Sequence, residues 1–159
     1  MRTPTLALSL LLCAGLAPLA ARAPETASAQ AGPFNPAADS FKDLEAAKAE
    51  ARASGRRIIL DVGGNWCPWC HRLHTFWDAQ KDLKDQRDKG FVFVLVNFSK
   101  DNKNEAFLAQ FPKVPGYPHF FVLDADGKLL QSQDTGILEE GKGYSAEKIA
   151  AFLKAWRPA

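Results

Sequence analysis

Leu60-Asp61-Val62-Gly63-Gly64-Asn65-Trp66-Cys67-Pro68-Trp69-Cys70 is the stretch that decides how this chain is read. It takes up an apolar run, Ile58 to Val62, with the look of a buried strand. Gly63-Gly64 breaks the run. Two cysteines separated by two residues follow, then a segment of helical character, His71 to Lys89. A strand thus delivers a cysteine pair to the start of a helix. Partial positive charge there stabilises an anion and lowers a thiol pKa from about 8.5 to about 3.5–7.5. The thiolate is the attacking form of cysteine, and the spacing lets the second sulfur close a disulfide with the first. Dithiol–disulfide chemistry is the first hypothesis.

Upstream, Arg2 and the apolar Leu6 to Leu19 read as a secretory signal peptide, with Ala27-Ser28-Ala29 as the preferred cleavage site. Its apolar core is shorter than a membrane span needs. Residues 1–29 are therefore expected to be removed, and Cys13 with them. Of the 3 cysteines in the chain, the mature form keeps Cys67 and Cys70. One closely spaced pair in an oxidising compartment is not a structural framework, and closing so short a loop stabilises little. Chemistry is the better reason for it. Residues 30–39, with Gly32, Pro33 and Pro36, read as a linker or a draped arm.

The 159 residues are 47% hydrophobic and 24% charged, enough to build one domain with a core. A net charge of +2 and no basic run give no sign of a nucleic-acid partner. Asp39 or Ser40 caps a first helix that Gly55 ends. After the cysteines, Leu73, Phe76 and Trp77 mark a helix face, the charged run Lys81 to Lys89 reads as its solvated side, and Gly90 stops it. Phe91 to Val96 is apolar at every position, as in a strand covered on both faces. Two such strands joined by a helix imply a parallel pair with a right-handed crossover. Asp101 to Phe111 reads as a short polar helix, and a proline-dense segment leads to a strand from His119 to Leu123. Asp124 to Gly127 is a hairpin turn, and Lys128 to Gln131 returns antiparallel. Thr135 to Gly143 is a loop. Ser145 caps a last helix with Ile149, Phe152, Leu153 and Trp156 on its core face. The fold class is α/β, a mixed central sheet flanked by helices.

This order, the Trp66-Cys67-Pro68-Trp69-Cys70 motif after the first strand, and Tyr117-Pro118 before the third strand together resemble the thioredoxin family. The resemblance spans about Ser40 to Trp156, within a domain taken as residues 40–159. It implies that Cys67 is the more exposed nucleophile and Cys70 the resolving thiol. Pro118 matches the family's cis-proline, with the Tyr117 backbone pairing to substrate as an added strand. Trp66 would flank the reactive sulfur. Asp61 matches the buried acid that relays a proton for the second cysteine. Leu95 stands where a lysine partners that acid in thioredoxin itself, so Asp61 is expected to be unpaired and its pKa raised by desolvation. Pro68-Trp69 replaces the usual Gly-Pro, and His119 a usual Thr; both bear on redox potential.

Other chemistries share these residues. Cys67-Pro68-Trp69-Cys70-His71 also fits c-type haem attachment, although the sole methionine, Met1, leaves with the signal. Cys67, Cys70, His71 and His74 are enough ligands for zinc or copper, and a metal-handling binding protein is the alternative function. His71 and His74 are otherwise expected on the helix surface. Asp61 could instead hydrogen-bond the Gly63-Gly64 turn. Trp69 and Tyr117 could be ordinary rim aromatics, and with Trp66 they would form an apolar patch for extended polypeptide. The expected activity is a thiol–disulfide oxidoreductase reducing disulfides of exported proteins, in the periplasm or secreted. It would need no cofactor beyond its own disulfide, bind no metal, work as a monomer, and take electrons from a membrane thiol-transfer protein.

Overall fold

Local chemistry sets where each helix begins and ends. The computed structural model describes residues 32–158. The expected signal peptide lies outside the described residues, as do the first residues of the expected linker. Asp39 caps α1 (Ser40–Ser54) by accepting from the backbone N–H groups of Phe41 and Lys42. Gly55 closes the helix in the left-handed region, at φ 69°, where a side chain is disfavoured. β1 (Arg57–Gly63) follows. The cysteine motif then opens α2 (Pro68–Ala79).

The long helix expected from His71 to Lys89 is two helices. α2 stops at Ala79 and α3 runs from Lys81 to Gly90, with Gln80 between them at φ −102°, ψ 67°. The reason lies in phase. Cys70, Leu73 and Trp77 face the core, and one unbroken helix would next turn Gln80, Lys81 and Lys84 inward. The break resets the phase so that Leu83 and Arg87 are buried instead. Arg87 thus departs from the expected solvated face. Its guanidinium lies over the rings of Phe93 at 4.0 Å and Trp77 at 4.8 Å.

β2 (Phe91–Asn97) runs parallel to β1, as expected. The four-stranded sheet has the order β2-β1-β3-β4, in which β3 is His119–Leu123 and β4 is Leu129–Asp134. β1 and β3, and β3 and β4, pair antiparallel. β2 is therefore an edge strand. Phe93, Val94 and Leu95 are only half-buried, against the expectation of cover on both faces.

Only Glu105–Leu108, as α4, is helical in the segment from Asp101 to Phe111. Side chains satisfy the backbone there in other ways. Asn97 Nδ2 donates to the Asn102 carbonyl at 2.9 Å, Asn104 Nδ2 donates to the Asn97 carbonyl at 2.7 Å, and Asn104 sits at φ 49°. The loop after β4 holds a single turn of 3₁₀ helix, Thr135–Leu138, and a small hairpin of β5 (Glu139–Glu140) and β6 (Gly143–Tyr144). α5 (Ala146–Trp156) closes the fold, its Trp156 half-buried and not fully core. Ser145 stands at its N-cap without a side-chain bond to the helix.

Strand periodicity divides the core. Ile58, Leu60 and Val62 point to one face of the sheet, with Ala47 and Ala51 of α1 and Phe107 of α4. Ile59 points to the other, with Leu73 and Trp77 of α2, Leu83 of α3, and Ile149, Phe152 and Leu153 of α5. Asp61 and Gly63 share the Ile59 face, so the strand carries a carboxylate and a bare backbone position beneath the cysteine helix.

Candidate active site

Cys67 is the N-cap residue of α2, and Pro68 takes the first helical position, where a missing N–H costs no hydrogen bond. The Cys67 sulfur accepts from the Cys70 backbone N–H at 3.1 Å, as a capping oxygen would. No acidic residue lies in the first turn to offset its partial positive charge. Cys67 and Cys70 are joined as a disulfide, with Cα atoms 5.2 Å apart.

The pair is more enclosed than the resemblance implied. Cys67 is 3% exposed and Cys70 1%, so Cys67, the expected nucleophile, is the more accessible of the two by a small margin. The cover comes from two separate segments of the chain. The Tyr117 carbonyl lies 3.5 Å from Cys67 Sγ, and the Tyr117-Pro118 peptide is cis. From the N-terminal arm, Phe34 is buried against the cysteines. Asn65 clamps that residue twice, accepting from the Phe34 N–H at 3.0 Å and donating to its carbonyl at 2.8 Å. Gly63 makes this closeness possible. A Cβ there would stand 2.6 Å from Cys70 Sγ and 2.9 Å from Phe34 Cζ.

The aromatic residues form a rim. Trp66 is 46% exposed, lies edge-on to Tyr117 at 5.6 Å, and donates from Nε1 to the Phe98 carbonyl at 2.6 Å. Phe98 stacks on Tyr117 at 4.8 Å. Trp69 is half-buried, with Arg72 over its ring at 4.4 Å and Tyr144 edge-on at 5.8 Å. Burial pushes the Tyr144 phenol well above its ordinary range, so it stays neutral. His119 turns into the sheet behind Pro118, where Nε2 meets Ser132 Oγ at 2.8 Å. Burial pushes its pKa down against the opposing pull of Asp134.

Asp61 is fully buried between Leu95 of β2 and Phe120 of β3. Its carboxylate has no hydrogen-bond partner, so it does not tie down the Gly63-Gly64 turn. Desolvation raises its pKa, as expected; His74, and more weakly Arg87, pull the other way. The expectation that Asp61 is unpaired is corrected. His74 Nε2 lies 3.3 Å from Asp61 Oδ2, at ion-pair distance though without the alignment of a hydrogen bond. His71 does lie on the surface, where its Nε2 donates to the Asn65 carbonyl at 2.6 Å. The two histidines thus point to different partners. Among the described residues, no three His, Cys, Asp or Glu side chains converge in a way that could hold a metal.

His74, expected on the helix surface, instead turns inward to Asp61, and Phe34 and Tyr144 were not singled out at all. His74 carried a signal: Cys70, Leu73, His74 and Trp77 fall at i, i+3, i+4 and i+7, one helix stripe, which places His74 inward with its neighbours. Phe34 carried none, because an apolar residue in a proline-rich arm has no periodicity to assign it. Tyr144 sits in a two-residue strand too short for a pattern.

A family model described as thioredoxin-like matches residues 39–125. The thiol:disulfide interchange protein DsbD of Klebsiella pneumoniae is 26% identical over 111 residues, which cover 69% of this chain and 17% of that protein. The disulfide bond reductase DsbH of Chlamydia pneumoniae is 27% identical over 104 residues, 60% of this chain and 61% of that protein. The chain thus spans less than two thirds of the length of these curated relatives. The solved structure of a disulphide isomerase from Xylella fastidiosa superposes with a TM-score of 0.67 at 24% identity, covering 77% of this chain and 95% of that one. That likeness speaks for the fold, and the fold agrees with the family match: the chain belongs to the thioredoxin-like family.

Proposed function

We propose that this protein is a thiol–disulfide oxidoreductase that reduces disulfides of exported polypeptides. The observation that carries the reading is the Cys67–Cys70 disulfide at a helix N-cap, with the Tyr117 carbonyl beside a cis-proline 3.5 Å from Cys67 Sγ. In the reduced form the Cys67 thiolate attacks one sulfur of a substrate disulfide. That bond breaks, one substrate thiolate leaves, and a mixed disulfide forms. Cys70 then attacks Cys67 Sγ and releases the second substrate thiol. Two electrons pass to the substrate, and the enzyme is left oxidised.

The rim favours extended chain. The Tyr117 backbone can pair with a substrate strand, while Trp66, Trp69 and Tyr117 take apolar side chains on either side of the sulfur. Asp61 receives the Cys70 proton. The site needs no cofactor beyond the disulfide itself, and it works as a monomer. A membrane thiol-transfer protein returns two electrons, in the periplasm or a secreted setting, after residues 1–29 are removed. The interchange and reductase names of the relatives support this reading. A metal-handling role is not favoured, because His71 and His74 turn to Asn65 and Asp61 instead of converging with the sulfurs.

Direction is tested by redox titration against glutathione. A potential near about −270 mV supports a reductase, and one near about −120 mV sinks it. A Cys70→Ala variant should retain substrates as mixed disulfides on Cys67, and polypeptides carrying reducible disulfides should be what it retains.

A further inference from the structure

A proton accepted by Asp61 has few ways out. The carboxylate is wholly buried. Its cross-strand neighbours, Leu95 and Phe120, can hold neither charge nor proton. Asp61 and Gly63 lie on one face of β1, and the space above Gly63 is filled by Cys70 Sγ and the Phe34 ring. Four residues beyond Cys70, on the same side of α2, stands His74. Its Nε2 is buried and 3.3 Å from Asp61 Oδ2, yet 21% of its side chain remains in solvent. Phe34 holds the ring edge-on at 5.5 Å. Imidazole takes a proton on one nitrogen and gives one up from the other. The remaining titratable groups around the acid are Arg87 of α3 and Tyr144 of β6. Arg87 does not give up its proton, and Tyr144 is buried.

We infer that His74 is the proton carrier between Asp61 and water during the Cys70 step. This rests on the reading of Cys67 and Cys70 as a working dithiol. The Cys70 thiol gives its proton to the Asp61 carboxylate. The resulting thiolate attacks Cys67 Sγ, the bond from Cys67 to the substrate sulfur breaks, and the substrate thiolate leaves to be protonated by water. Asp61 hands the Cys70 proton on to His74 Nε2 as the thiolate forms, because a proton left on Asp61 would return to the Cys70 sulfur before it attacks, and His74 releases one to solvent. His74 touches no substrate. It is a positioning residue that acts through Asp61.

The test uses the reduced full-length protein and an aromatic disulfide reagent that releases coloured thionitrobenzoate. The first equivalent reports attack by Cys67 and depends on reagent concentration. The second reports attack by Cys70 and does not. His74→Gln should leave the first phase unchanged and slow the second about 10²-fold near neutral pH, the low end for a positioned proton-transfer group. The deficit should shrink at high pH, where Cys70 ionises unaided. Asp61→Asn with His74→Gln should be no slower than Asp61→Asn alone, because the two act in series. A second phase unchanged in His74→Gln, or effects that multiply in the double variant, overturns the inference. In the unmutated protein, the His74 ring proton resonance should register an Asp61 titration that disappears in Asp61→Asn; a resonance indifferent to Asp61 overturns it too. If the unmutated protein releases no second equivalent, the dithiol reading falls and takes this inference with it. A normal second phase that ignores His74 removes the inference alone.

Discussion

On one face of β1, Ile58, Leu60 and Val62 pack against apolar residues of α1 and α4, and the strand itself places no polar side chain there. On the other face, Ile59 gives way to Asp61 and Gly63, a buried carboxylate and a position with no side chain at all. Both faces belong to the same seven residues of the same central strand. The first face stabilises the fold by burying apolar surface, at about 25 cal/mol per Å². The second gives up part of that gain. A carboxylate without a hydrogen bond costs stability, and a glycine buries nothing, but together they make room for sulfur and place an acid beneath it. The strand can carry a destabilising face because its opposite face is ordinary core, and because α2, α3 and α5 still close over Ile59.

The apolar face can be broken first. Leu60 is wholly buried, and Leu60→Ala should lower unfolding stability by about 2–5 kcal/mol. Reactivity of the folded molecules with a thiol reagent should be unchanged, since Leu60 points away from the cysteines. Urea unfolding followed by thiol titration checks both parts, and a variant as stable as the parent would contradict the assignment of this face to the core.

Gly63→Ala probes the other face with the smallest possible addition. The new Cβ would meet Cys70 Sγ and the Phe34 ring, neither of which is the free end of a flexible chain. Overpacking of this kind costs about 1–3 kcal/mol. Here the cost should depend on redox state. Reduction frees Cys70 Sγ to move, so the oxidised form should lose more stability than the reduced form. Equal losses in both would mean that the sulfur is not what the methyl meets.

The sequence announced these two faces unequally. Alternation along Ile58 to Val62 is hidden, because a strand buried on both faces is apolar throughout and periodicity has nothing to mark. What stood out was Asp61, a charge inside an apolar run, and the cysteine spacing after it. The break at Gln80 was also legible in principle, since the stripe through Leu73 and Trp77 runs into Gln80, Lys81 and Lys84. Phe34 was not legible at all. Its place depends on two backbone hydrogen bonds to a side chain 31 residues away, and such long-range pairings leave no local pattern.

That arm offers a gentler test of the same face. Asn65→Ala removes both hydrogen bonds to Phe34 and should cost about 1–2 kcal/mol in total. With the clamp gone, Phe34 no longer seals the disulfide, and reduction by dithiothreitol should be faster than in the parent. An unaltered reduction rate would show that Phe34 stays in place without Asn65.

Asp61→Asn is the change whose effect can be made to vanish. The folded pKa of Asp61 is raised, chiefly by desolvation. Folded protein therefore holds this proton to higher pH than unfolded protein does. Below the unfolded carboxyl value, about 3.9, both states are neutral at this residue and the group costs nothing electrostatic. As pH rises through the folded value, the carboxylate must ionise inside the sheet, and that stability is lost. Asparagine cannot ionise and keeps nearly the same shape. In the oxidised protein, where the cysteines do not titrate, the two melting temperatures should nearly coincide at pH 3.5, and the variant should melt higher at pH 8. A difference that stays constant from acid to alkaline pH would mean that Asp61 is solvated in the folded state, and the contrast between the two faces of β1 would lose its physical basis.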